Sequence, residues 1–363
     1  METKKEVQET IIPSKTNGNN NAKVTEEEFF SVLKMIAPGT NLRGAIELAL
    51  KGGKGALMVI DNDDLLPLID GGFRVNCRFT PQRVAELAKM DGAIVLSKDV
   101  KRIDYANVLL TPDSKIKTSE TGTRHKAAER TAKQTKGITI AISEKKHDIN
   151  LYYRNIKYPV KSTEDIRRKV NENIQMLEKQ RELFDSYLDK LNKLELRNYH
   201  NVEQAVLVIQ KGRLIQKIAE DLKRFIVELG SEGPLLKTRL KEIISGIDKE
   251  TSLVIKDYTN LDVKRTRNLL ETLSYDEILD EEKILNSLAY ETLSERKLIP
   301  GWRILSKTLL PEQDIAKLIK AKGSLGGILH SSAKAYFEVI GEEKANLLKE
   351  EIEKIKLNPW QLR

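Results

Sequence analysis

The hydrophobic pattern of this chain changes once, near Pro159, and the change constrains the fold more than any other feature of the sequence. Before Pro159, short apolar runs alternate with helical patterns, and the runs cover residues 56–60, 93–96, 105–110 and 138–142. Gly, Asp or Pro flanks each run, as is typical of buried strands. After Pro159, apolar residues recur three, four or seven positions apart, as in amphipathic helices. We therefore expect an α/β domain, a mixed sheet flanked by helices, followed by an all-α region.

Length and composition narrow the possible classes of protein. The 363 residues are enough for two or three domains, and 40% of them are hydrophobic and 32% charged, which is typical of a helix-rich globular protein. No apolar run approaches the ~18 residues of a membrane span, so we expect no membrane partner. With Cys77 alone no intrachain disulfide can form, and the N-terminus has no apolar signal core, which together predict a cytoplasmic location. The net charge of +8 favours polyanionic partners, either nucleotides or nucleic acid.

Capping residues and breakers indicate where the helices begin and end. In the first region a capping box at Thr25–Glu28 and the N-cap residues Thr40 and Thr80 are expected to open helices, and residues 124–135 form a further helical pattern before Gly137. In the second region Ser162 is expected to cap a long helix. Its predicted apolar face carries Ile166, Val170, Ile174, Leu177, Phe184, Leu188 and Leu191. This leucine-rich stripe favours packing inside an antiparallel helical spine over a partner-binding zipper.

Four parts follow from these boundaries: a flexible N-terminal arm (1–25), the α/β domain (26–160), the helical spine or linker domain (161–298) and a C-terminal domain (299–363). In the last part, a helix, a glycine-containing turn and a helix occur twice, which is typical of tandem helix-hairpin-helix modules. Backbone N–H groups of such hairpins can bind phosphate without reading the base. The candidate DNA contacts are Gly323, Gly326, Gly327, Gly341 and Lys344.

Asp91 and Gly92 form the first segment with candidate chemistry, directly before the apolar run 93–96. The carboxylate of Asp91 can hold a hard cation through its oxygens, and Gly92 lets a ligand or a second backbone come close. An ordinary turn before a strand, with Asp as its cap and Gly at a positive φ, is the alternative interpretation.

Residues 119–126 form the second segment, and its glycine and hydroxyls precede a compact basic cluster. Arg124 offers a bidentate fork for phosphate, Lys126 a mobile point charge, and His125 a hydrogen-bond donor. The alternative is an exposed basic helix start. A basic cluster at a helix N-terminus opposes the helix dipole, at a cost of ~0.3–1 kcal/mol unless an anion binds there, and this favours a ligand site. The sequence contains no Walker-type G-x-x-x-x-G-K-[ST] motif, which disfavours a kinase or P-loop ATPase.

Several segments together resemble the diadenylate cyclase domain. They are Ala-Lys-Met-Asp-Gly-Ala-Ile at 88–94, Tyr-Ala-Asn at 105–107, Ser-Glu-Thr-Gly-Thr-Arg-His at 119–125, Ala-Glu-Arg-Thr-Ala-Lys-Gln-Thr at 128–135 and Ala-Ile-Ser-Glu at 141–144, with Asp-Gly-Gly-Phe at 70–73. The helical spine and hairpin tail add the domain order of the bacterial DNA integrity scanning family. The resemblance covers about residues 26 to 363.

The resemblance implies a nucleotidyltransferase that condenses two ATP into cyclic di-AMP and releases two pyrophosphates. In this family two half-sites face each other across a subunit interface in a homo-octamer, and the C-terminal helix-hairpin-helix domain senses branched or damaged DNA without sequence specificity. The implied cofactor is Mg²⁺ or Mn²⁺, with Asp91 as the catalytic metal ligand. The implied nucleotide-binding residues are Gly92, Leu110, Thr123, Arg124, His125, Lys126, Ala127 and Ser143.

The chain departs from the family pattern at two places. Where the family has Arg-His-Arg-Thr, this chain has Arg124-His125-Lys126-Ala127, which keeps the charge but loses a guanidinium fork and a hydroxyl. In the second hairpin Val339 replaces the first glycine of Gly-Ile-Gly. The alternative function is therefore a degenerate cyclase that binds nucleotide and branched DNA without efficient turnover. A structural DNA-binding scaffold is a third hypothesis, which must treat the Asp91 and Arg124 segments as coincidence.

Overall fold

The structure, a computed structural model, describes residues 24–145, 147–294 and 298–357, without the side chains of Glu26 and Ala333. They form two compact units: unit 1 comprises the residues up to 168 together with 224–234, and unit 2 comprises 169–223 and the residues from 235 onward. The flexible arm predicted for residues 1–25 lies outside the described residues, except for Val24 and Thr25. The division of the sequence into four domains stays a prediction.

An eight-stranded mixed sheet forms the centre of unit 1. Its strands are β1 (Ala56–Ile60), β2 (Ile69–Asp70), β3 (Phe73–Arg78), β4 (Ala93–Leu96), β5 (Arg102–Leu110), β6 (Ile138–Ile142), β7 (Ile149–Tyr153) and β8 (Ile156–Val160). Their order is β2-β5-β4-β1-β6-β7-β8, and β3 also pairs with β5. The β1–β4 pair is parallel and the other pairs are antiparallel. The predicted α/β class with a mixed sheet is confirmed.

Both faces of this sheet are covered by helices. The helices of unit 1 are α1 (Glu26–Met35), α2 (Asn41–Lys51), α3 (Pro81–Leu87) and α4 (Thr123–Thr135), with a 3₁₀ turn at Leu66–Leu68. Alternate residues of β1 point to opposite faces: Met58 packs in the core formed with α1, α2 and α3, whereas Leu57 packs with Ala128 and Ala132 of α4. The helix that begins with the basic cluster is therefore fixed to one face of the sheet by small, buried residues.

Four of these strands were not predicted from the sequence: β2, β3, β7 and β8. β3 exposes most of its side chains, so it lacks the apolar run that marks a buried strand. Pro159, interpreted above as a boundary, lies inside β8 and pairs with Asn150 of β7. A proline is tolerated there because β8 is an edge strand of the sheet. Such a strand has a neighbour on one side only, so the N–H that proline lacks is not needed for hydrogen bonds to a second strand.

Two long helices follow the sheet and contribute residues to both units. They are α5 (Thr163–Leu196) and α6 (Val202–Glu228), and the helices that follow are α7 (Gly233–Ile244), α8 (Ile247–Tyr258), α9 (Val263–Thr272), α10 (Tyr275–Leu279) and α11 (Glu281–Ser287). Ser162 caps α5 as predicted, because its Oγ accepts a hydrogen bond from the Asp165 N–H at 3.1 Å. All seven residues of the predicted apolar face are buried. No helix within the described residues is long and apolar enough to cross a membrane.

The end of α6 and the turn after it pack on the sheet domain within unit 1. The Tyr158 hydroxyl of β8 donates a hydrogen bond to the buried carboxylate of Glu228. The Ser231 N–H donates to the Pro38 carbonyl at 3.4 Å, and Arg167 forms an ion pair with Glu232 at 2.6 Å. Residues 224–234 therefore belong to the fold of unit 1, although the sequence places them in the spine.

Unit 2 ends in five further helices joined to the preceding ones by buried polar groups. They are α12 (Trp302–Leu305), α13 (Glu312–Lys322), α14 (Leu325–Leu329), α15 (Ala333–Ile340) and α16 (Glu342–Leu357). Asp257, at the end of α8, accepts the backbone N–H groups of Gly301, Trp302 and Arg303 at 2.8–3.0 Å. This carboxylate thus satisfies the first N–H groups of α12, and burial raises its pKa.

Arg303 is fully buried and lies at the centre of what we call the Arg303 cluster: Asn192, Glu195, Asp257, Tyr258 and Arg303. Its guanidinium donates to the side chains of Asn192 and Glu195 on α5, and the Tyr258 hydroxyl donates to Glu195 at 3.1 Å. Burial raises the pKa of Glu195 to about 7, against the opposing effect of Arg303. The cluster joins α5, α8 and α12 through charges that have no access to water.

Candidate active site

A cavity of about 810 Å³ lies in unit 1, where the starts of β4 and α4 meet the end of β5. This is the size of an ordinary small-molecule site. Its lining residues are Leu57, Gly92, Ala93, Val108, Leu109, Leu110, Glu120, Thr121, Gly122, Thr123, Arg124, His125, Ala127, Ser143, Glu144, Lys145, Asp148, Asn150 and Lys157. Both segments singled out in the sequence therefore reach the same cavity.

The N-terminus of α4 faces this cavity with its backbone donors uncapped. Gly122 is the N-cap residue and provides no side-chain cap, and the first turn contains no acidic residue. The first N–H groups of a helix have no partner inside the helix, and the helix dipole places partial positive charge there. The side chains of Arg124 and His125 line the cavity at the same place, and the guanidinium of Arg124 adds further donors. The arrangement is suited to binding a phosphate group.

Most of the predicted nucleotide-binding residues line the cavity. These are Gly92, Leu110, Thr123, Arg124, His125, Ala127 and Ser143. Asp91 is exposed and directly precedes the lining residue Gly92, and Lys126 is half-buried on the first turn of α4 beside His125. Neither of these two side chains is part of the lining. Their assigned roles stay predictions.

The backbone of β5 explains the glycine at position 92. Gly92 has a φ of +88°, and a Cβ there would lie 2.8 Å from the Asn107 carbonyl carbon and 2.9 Å from the Val108 oxygen. Any larger residue would therefore separate the start of β4 from β5. The sequence analysis considered that Gly92 lets either a ligand or a second backbone come close. The structure shows the second backbone, that of β5, and Gly92 also lines the cavity. This contact fixes Asp91 beside the cavity.

Gly55 makes room for the guanidinium of Arg124, a role that the sequence analysis missed. A Cβ at Gly55 would lie 1.8 Å from Arg124 Nη1, 2.5 Å from Cζ and 2.9 Å from the Ile142 carbonyl oxygen. The guanidinium therefore occupies the space that a side chain at position 55 would fill. The sequence could have indicated this role only through the position of Gly55, directly before the apolar run that forms β1.

We expect Gly55→Ala to weaken nucleoside triphosphate binding at least ~10-fold, because the displaced guanidinium would lose the phosphate contact predicted for it, and a hydrogen bond to a charged group contributes ~1.5–3 kcal/mol. The measurement is equilibrium binding of ATP to the folded variant. Gly52→Ala is the matched control: Gly52 is helical, with φ −65°, and its added Cβ would meet only the Ala49 and Leu48 carbonyls, at 3.3 and 3.6 Å. Equal binding by both variants would show that Arg124 does not contact the nucleotide.

His125, in the cavity wall, is held by a series of hydrogen-bonded polar side chains. Its Nδ1 lies 3.0 Å from the Tyr152 hydroxyl, and that hydroxyl donates to Glu120 Oε1 at 3.0 Å. The Nζ of Lys157 lies 2.5 Å from the same carboxylate oxygen. Burial lowers the pKa of His125, which favours the neutral ring, and burial beside Glu120 raises the pKa of Tyr152. The sequence analysis missed Tyr152 because it lies on β7, which was not predicted.

The outer face of α4 positions the loop that leads to the cavity. Glu129 is buried and accepts hydrogen bonds from the Thr118 hydroxyl and from the Ser119 N–H, the latter at 3.2 Å, and it pairs with Lys133 at 2.6 Å. Arg130 donates to the Ile116 carbonyl at 2.9 Å. Burial alone would raise the pKa of Glu129, but the bonds from Lys133 and Thr118 lower it overall. The helix thus fixes the loop immediately before Thr121.

The described residues offer no complete protein cage for a catalytic cation. Among residues 24–145, 147–294 and 298–357, no group of three or more His, Cys, Asp or Glu side chains is arranged to hold a metal ion. Mg²⁺ is commonly held by one or two carboxylates together with substrate phosphates and water. The exposed Asp91, next to a cavity that the uncapped N-terminus of α4 faces, fits this mode.

The five predicted DNA contacts lie in unit 2 and differ in accessibility. Gly323, Gly327 and Gly341 are exposed, whereas Gly326 is buried, and a Cβ there would lie 2.1 Å from Asn198 Oδ1. Gly326 therefore packs against the turn after α5. The Nζ of Lys344 lies 2.6 Å from Asp314 Oδ2, so its charge is already paired. The assignment of these residues to DNA binding stays a prediction.

Two family models match the chain, and they cover consecutive regions. The model described as "DisA bacterial checkpoint controller nucleotide-binding" matches residues 43–156, which contain all the lining residues of the cavity except Lys157. The model described as "DisA bacterial checkpoint controller linker region" matches residues 160–296. The sheet domain with the candidate site thus corresponds to the nucleotide-binding region of the family, and helices α5 to α11 correspond to the linker.

Similar proteins cover nearly the whole chain. The DNA integrity scanning protein DisA of Acetivibrio thermocellus is 39% identical over 334 residues, which are 89% of this chain and 93% of that protein. The protein of the same name from Bacillus subtilis is 38% identical over 341 residues, 91% of this chain and 94% of that protein. Among solved structures, DacA from Staphylococcus aureus is 20% identical, covers 40% of this chain and 95% of that chain, and has a TM-score of 0.29. The chain belongs to the family of the DNA integrity scanning protein DisA.

Proposed function

We propose that the protein is a diadenylate cyclase, a nucleotidyltransferase that condenses two ATP into cyclic di-AMP and releases two pyrophosphates. The observation that carries this proposal is the uncapped N-terminus of α4, which presents backbone donors, Arg124 and His125 to a nucleotide-sized cavity. The match of residues 43–156 to the nucleotide-binding region of the family supports it.

In the proposed reaction a 3′-oxygen forms a bond to the α-phosphorus of a second ATP, and the bond from that phosphorus to the oxygen of the leaving pyrophosphate breaks. The triphosphate lies at the start of α4, where Arg124 offsets the charge that develops on the departing pyrophosphate. Leu110, which is buried in the cavity wall, packs against adenine. Asp91 holds Mg²⁺ or Mn²⁺, which supplies Lewis-acid polarisation of the α-phosphate when bound.

We propose that two half-sites from different subunits complete the ring, within a homo-octamer. Closure needs two such attacks, each by the 3′-hydroxyl of the opposite nucleotide, so a second cavity has to face the first. Apolar residues at and near the rim are suited to contact a second copy: Leu109 lines the cavity with 61% of its surface exposed, and Met90, one residue before Asp91, is 48% exposed. Activity per protomer should then fall as the assembly is diluted into monomers.

The deciding experiment is incubation of the full-length protein with ATP and Mn²⁺, followed by chromatography of the products. Cyclic di-AMP and pyrophosphate in a ratio of one to two support the proposal. 3′-Deoxy-ATP, which lacks the attacking hydroxyl, is the control substrate and should give no ring. Nucleotide binding without product would instead favour the degenerate cyclase, and Lys126 and Ala127 would then be the first positions to restore to Arg and Thr.

We further propose that the last helices of unit 2 form the helix-hairpin-helix domain and bind DNA without sequence specificity, in branched or damaged structures. The names of the relatives, which refer to DNA integrity, support this proposal. The turn between α13 and α14 carries the exposed Gly323 and follows Lys320 and Lys322, and the exposed Gly327 lies in α14 directly after it. The N–H groups of Gly323 and Gly327 donate within the protein, to the Ile319 carbonyl and to Ser324 Oγ, so the lysine side chains are the groups proposed to contact phosphate. The cytoplasmic location stays a prediction.

We expect Lys320→Glu/Lys322→Glu to weaken DNA binding and to reduce its salt dependence, because log K falls by ~0.9 per neutralised phosphate as log salt rises. Neither lysine forms an ion pair with a described residue. The matched control is Lys264→Glu/Arg265→Glu, which changes the net charge equally at two exposed positions of α9. Affinity for a branched duplex is measured at several salt concentrations. An equal loss in both double variants would assign the effect to net charge and not to this turn.

A further inference from the structure

We propose that Tyr152 and Glu120 are positioning residues that hold the neutral ring of His125 with its proton on Nδ1, so that a bound triphosphate draws a second proton onto Nε2. This inference rests on the proposed function, because it takes the nucleoside triphosphate as the ligand of the cavity. Nucleotide affinity then depends on pH through protonation of His125. This dependence is caused by Tyr152, which fixes the tautomer of the ring although it does not line the cavity.

The proton positions follow from the donors and acceptors in this chain. The carboxylate of Glu120 is paired with Lys157 at 2.5 Å and has only lone pairs to offer. The Tyr152 hydroxyl has one proton and donates it to Glu120 at 3.0 Å. Its oxygen can then only accept from His125, whose Nδ1 lies 3.0 Å away. The neutral imidazole has a single N–H, and this contact places it on Nδ1.

The opposite arrangement leaves two acceptors in contact. If Tyr152 donated its proton to Nδ1 of His125, the hydroxyl oxygen and the Glu120 carboxylate would face each other at 3.0 Å with no hydrogen between them. Both groups are largely shielded from water, with Tyr152 1% and Glu120 13% exposed, so solvent cannot relieve that repulsion. Lys157 further favours donation from Tyr152 to Glu120, because its charge attracts the carboxylate that accepts this hydrogen bond.

With Nδ1 occupied, Nε2 is the ring nitrogen left for a ligand in the cavity. On the neutral ring Nε2 carries a lone pair, which repels a phosphoryl oxygen, whereas the imidazolium donates a hydrogen bond to it. The charged groups that face the ring are Glu120, Lys157, Arg124 and Asp148. Burial is the largest effect that lowers the pKa of His125 in the free protein, and a bound triphosphate adds negative charge that raises it.

The sign of the pH dependence follows from this difference between free and bound protein. Below the pKa of His125 in the free protein the ring is already charged, so its protonation adds no pH dependence. Between the free and the bound pKa, binding takes up a proton, and affinity falls by up to about tenfold per pH unit as pH rises. Above the bound pKa the ring stays neutral in both states and the fall ends.

Tyr152→Phe tests the inference, and Tyr153→Phe is the matched control. Phenylalanine keeps the packing of Tyr152 but removes the acceptor, so the neutral ring can move its proton to Nε2 and donate to phosphate without uptake. Tyr153 is the next residue of β7, and its side chain points to the other face of the sheet. The measurement is calorimetric binding of 3′-deoxy-ATP to the full chain in buffers of different ionisation enthalpy, which counts the protons taken up.

Wild type and Tyr153→Phe should take up close to one proton per bound nucleotide in the pH-dependent range. Tyr152→Phe should take up clearly less than one, and its affinity should fall less steeply as pH rises. Because 3′-deoxy-ATP titrates identically in all three experiments, differences between them report the protein. Equal uptake in all three proteins overturns the inference while nucleotide binding stands. No binding of 3′-deoxy-ATP to wild type would contradict the proposed function itself.

A second measurement reads the tautomer directly. The protein has four histidines, so the ring ¹⁵N signals of His125 are assigned by their loss in His125→Gln. The free wild-type protein should show Nδ1 protonated and Nε2 bare, and added 3′-deoxy-ATP should protonate both. In Tyr152→Phe the free ring should shift towards Nε2–H. A free wild-type ring that already carries its proton on Nε2 would contradict the proposed hydrogen-bond direction.

Discussion

Asp91→Asn is expected to lower the rate of cyclic di-AMP formation by at least ~10²-fold while the fold survives. The asparagine keeps the size of the side chain but removes the charge that holds the cation, and a catalytic metal supplies several kcal/mol of charge stabilisation in the transition state. The exposed position of Asp91 means that the substitution disturbs no packing. The rate is measured with saturating ATP over a range of Mn²⁺ concentrations, together with the far-UV circular dichroism of the variant.

Asp64→Asn is the matched control for this prediction, because it makes the same change at an exposed carboxylate of unit 1 that does not line the cavity. It should retain the wild-type rate. If Asp91→Asn also keeps the full rate and the same dependence on Mn²⁺, then Asp91 is not the metal ligand, and another carboxylate near the cavity has to be sought.

Arg303→Met should destabilise unit 2 by about 3–5 kcal/mol, because it leaves Glu195 buried without its cation. Methionine approximates the volume of the arginine stem, so the loss comes mainly from charge and not from a cavity. Among the residues that the structure describes, Trp302 is the only tryptophan, and it belongs to unit 2, so its fluorescence during denaturant unfolding reports this unit. The expected result is a lower transition midpoint with a similar slope.

Two further variants separate the buried pair from a general effect of losing an arginine. Arg239→Met removes the partner of Glu178 in a pair whose side chains are 52% and 40% exposed, and it should cost less than about 1 kcal/mol. The double variant Arg303→Met/Glu195→Leu should recover part of the lost stability, because no unpaired Glu195 charge remains. A double variant less stable than Arg303→Met alone would show that Glu195 does not depend on Arg303.

The parts of the site that were predictable from the sequence are those whose signal is local. The start of α4 could be placed because glycine, hydroxyls and a basic cluster precede a helical pattern, and the structure begins the helix at Thr123. β1, β4 and β6 have the predicted bounds, because strands buried on both faces are continuous apolar runs. In each case the information lies within one stretch of chain.

The rest of the site depends on contacts between distant segments, which no local pattern encodes. Tyr152 meets His125 only because β7 pairs with β6, and β7 itself was missed. Gly55 matters because a guanidinium 69 positions later occupies its missing side chain. Gly326 was interpreted as a possible phosphate contact, yet the structure buries it against Asn198. A glycine alone does not tell whether a ligand or another part of the protein comes close.

The return of residues 224–234 to unit 1 has a consequence for anyone who wishes to isolate the nucleotide-binding part. A fragment that stops at residue 160 ends before the helix of Arg167 and lacks the segment that carries Glu228, so Tyr158 would lose its buried partner. A minimal fragment for unit 1 should instead retain residues up to 168, omit 169–223, and continue with residues 224–234 after a short Gly/Ser linker. The ion pair between Arg167 and Glu232, at 2.6 Å, shows that these two stretches of unit 1 already lie side by side.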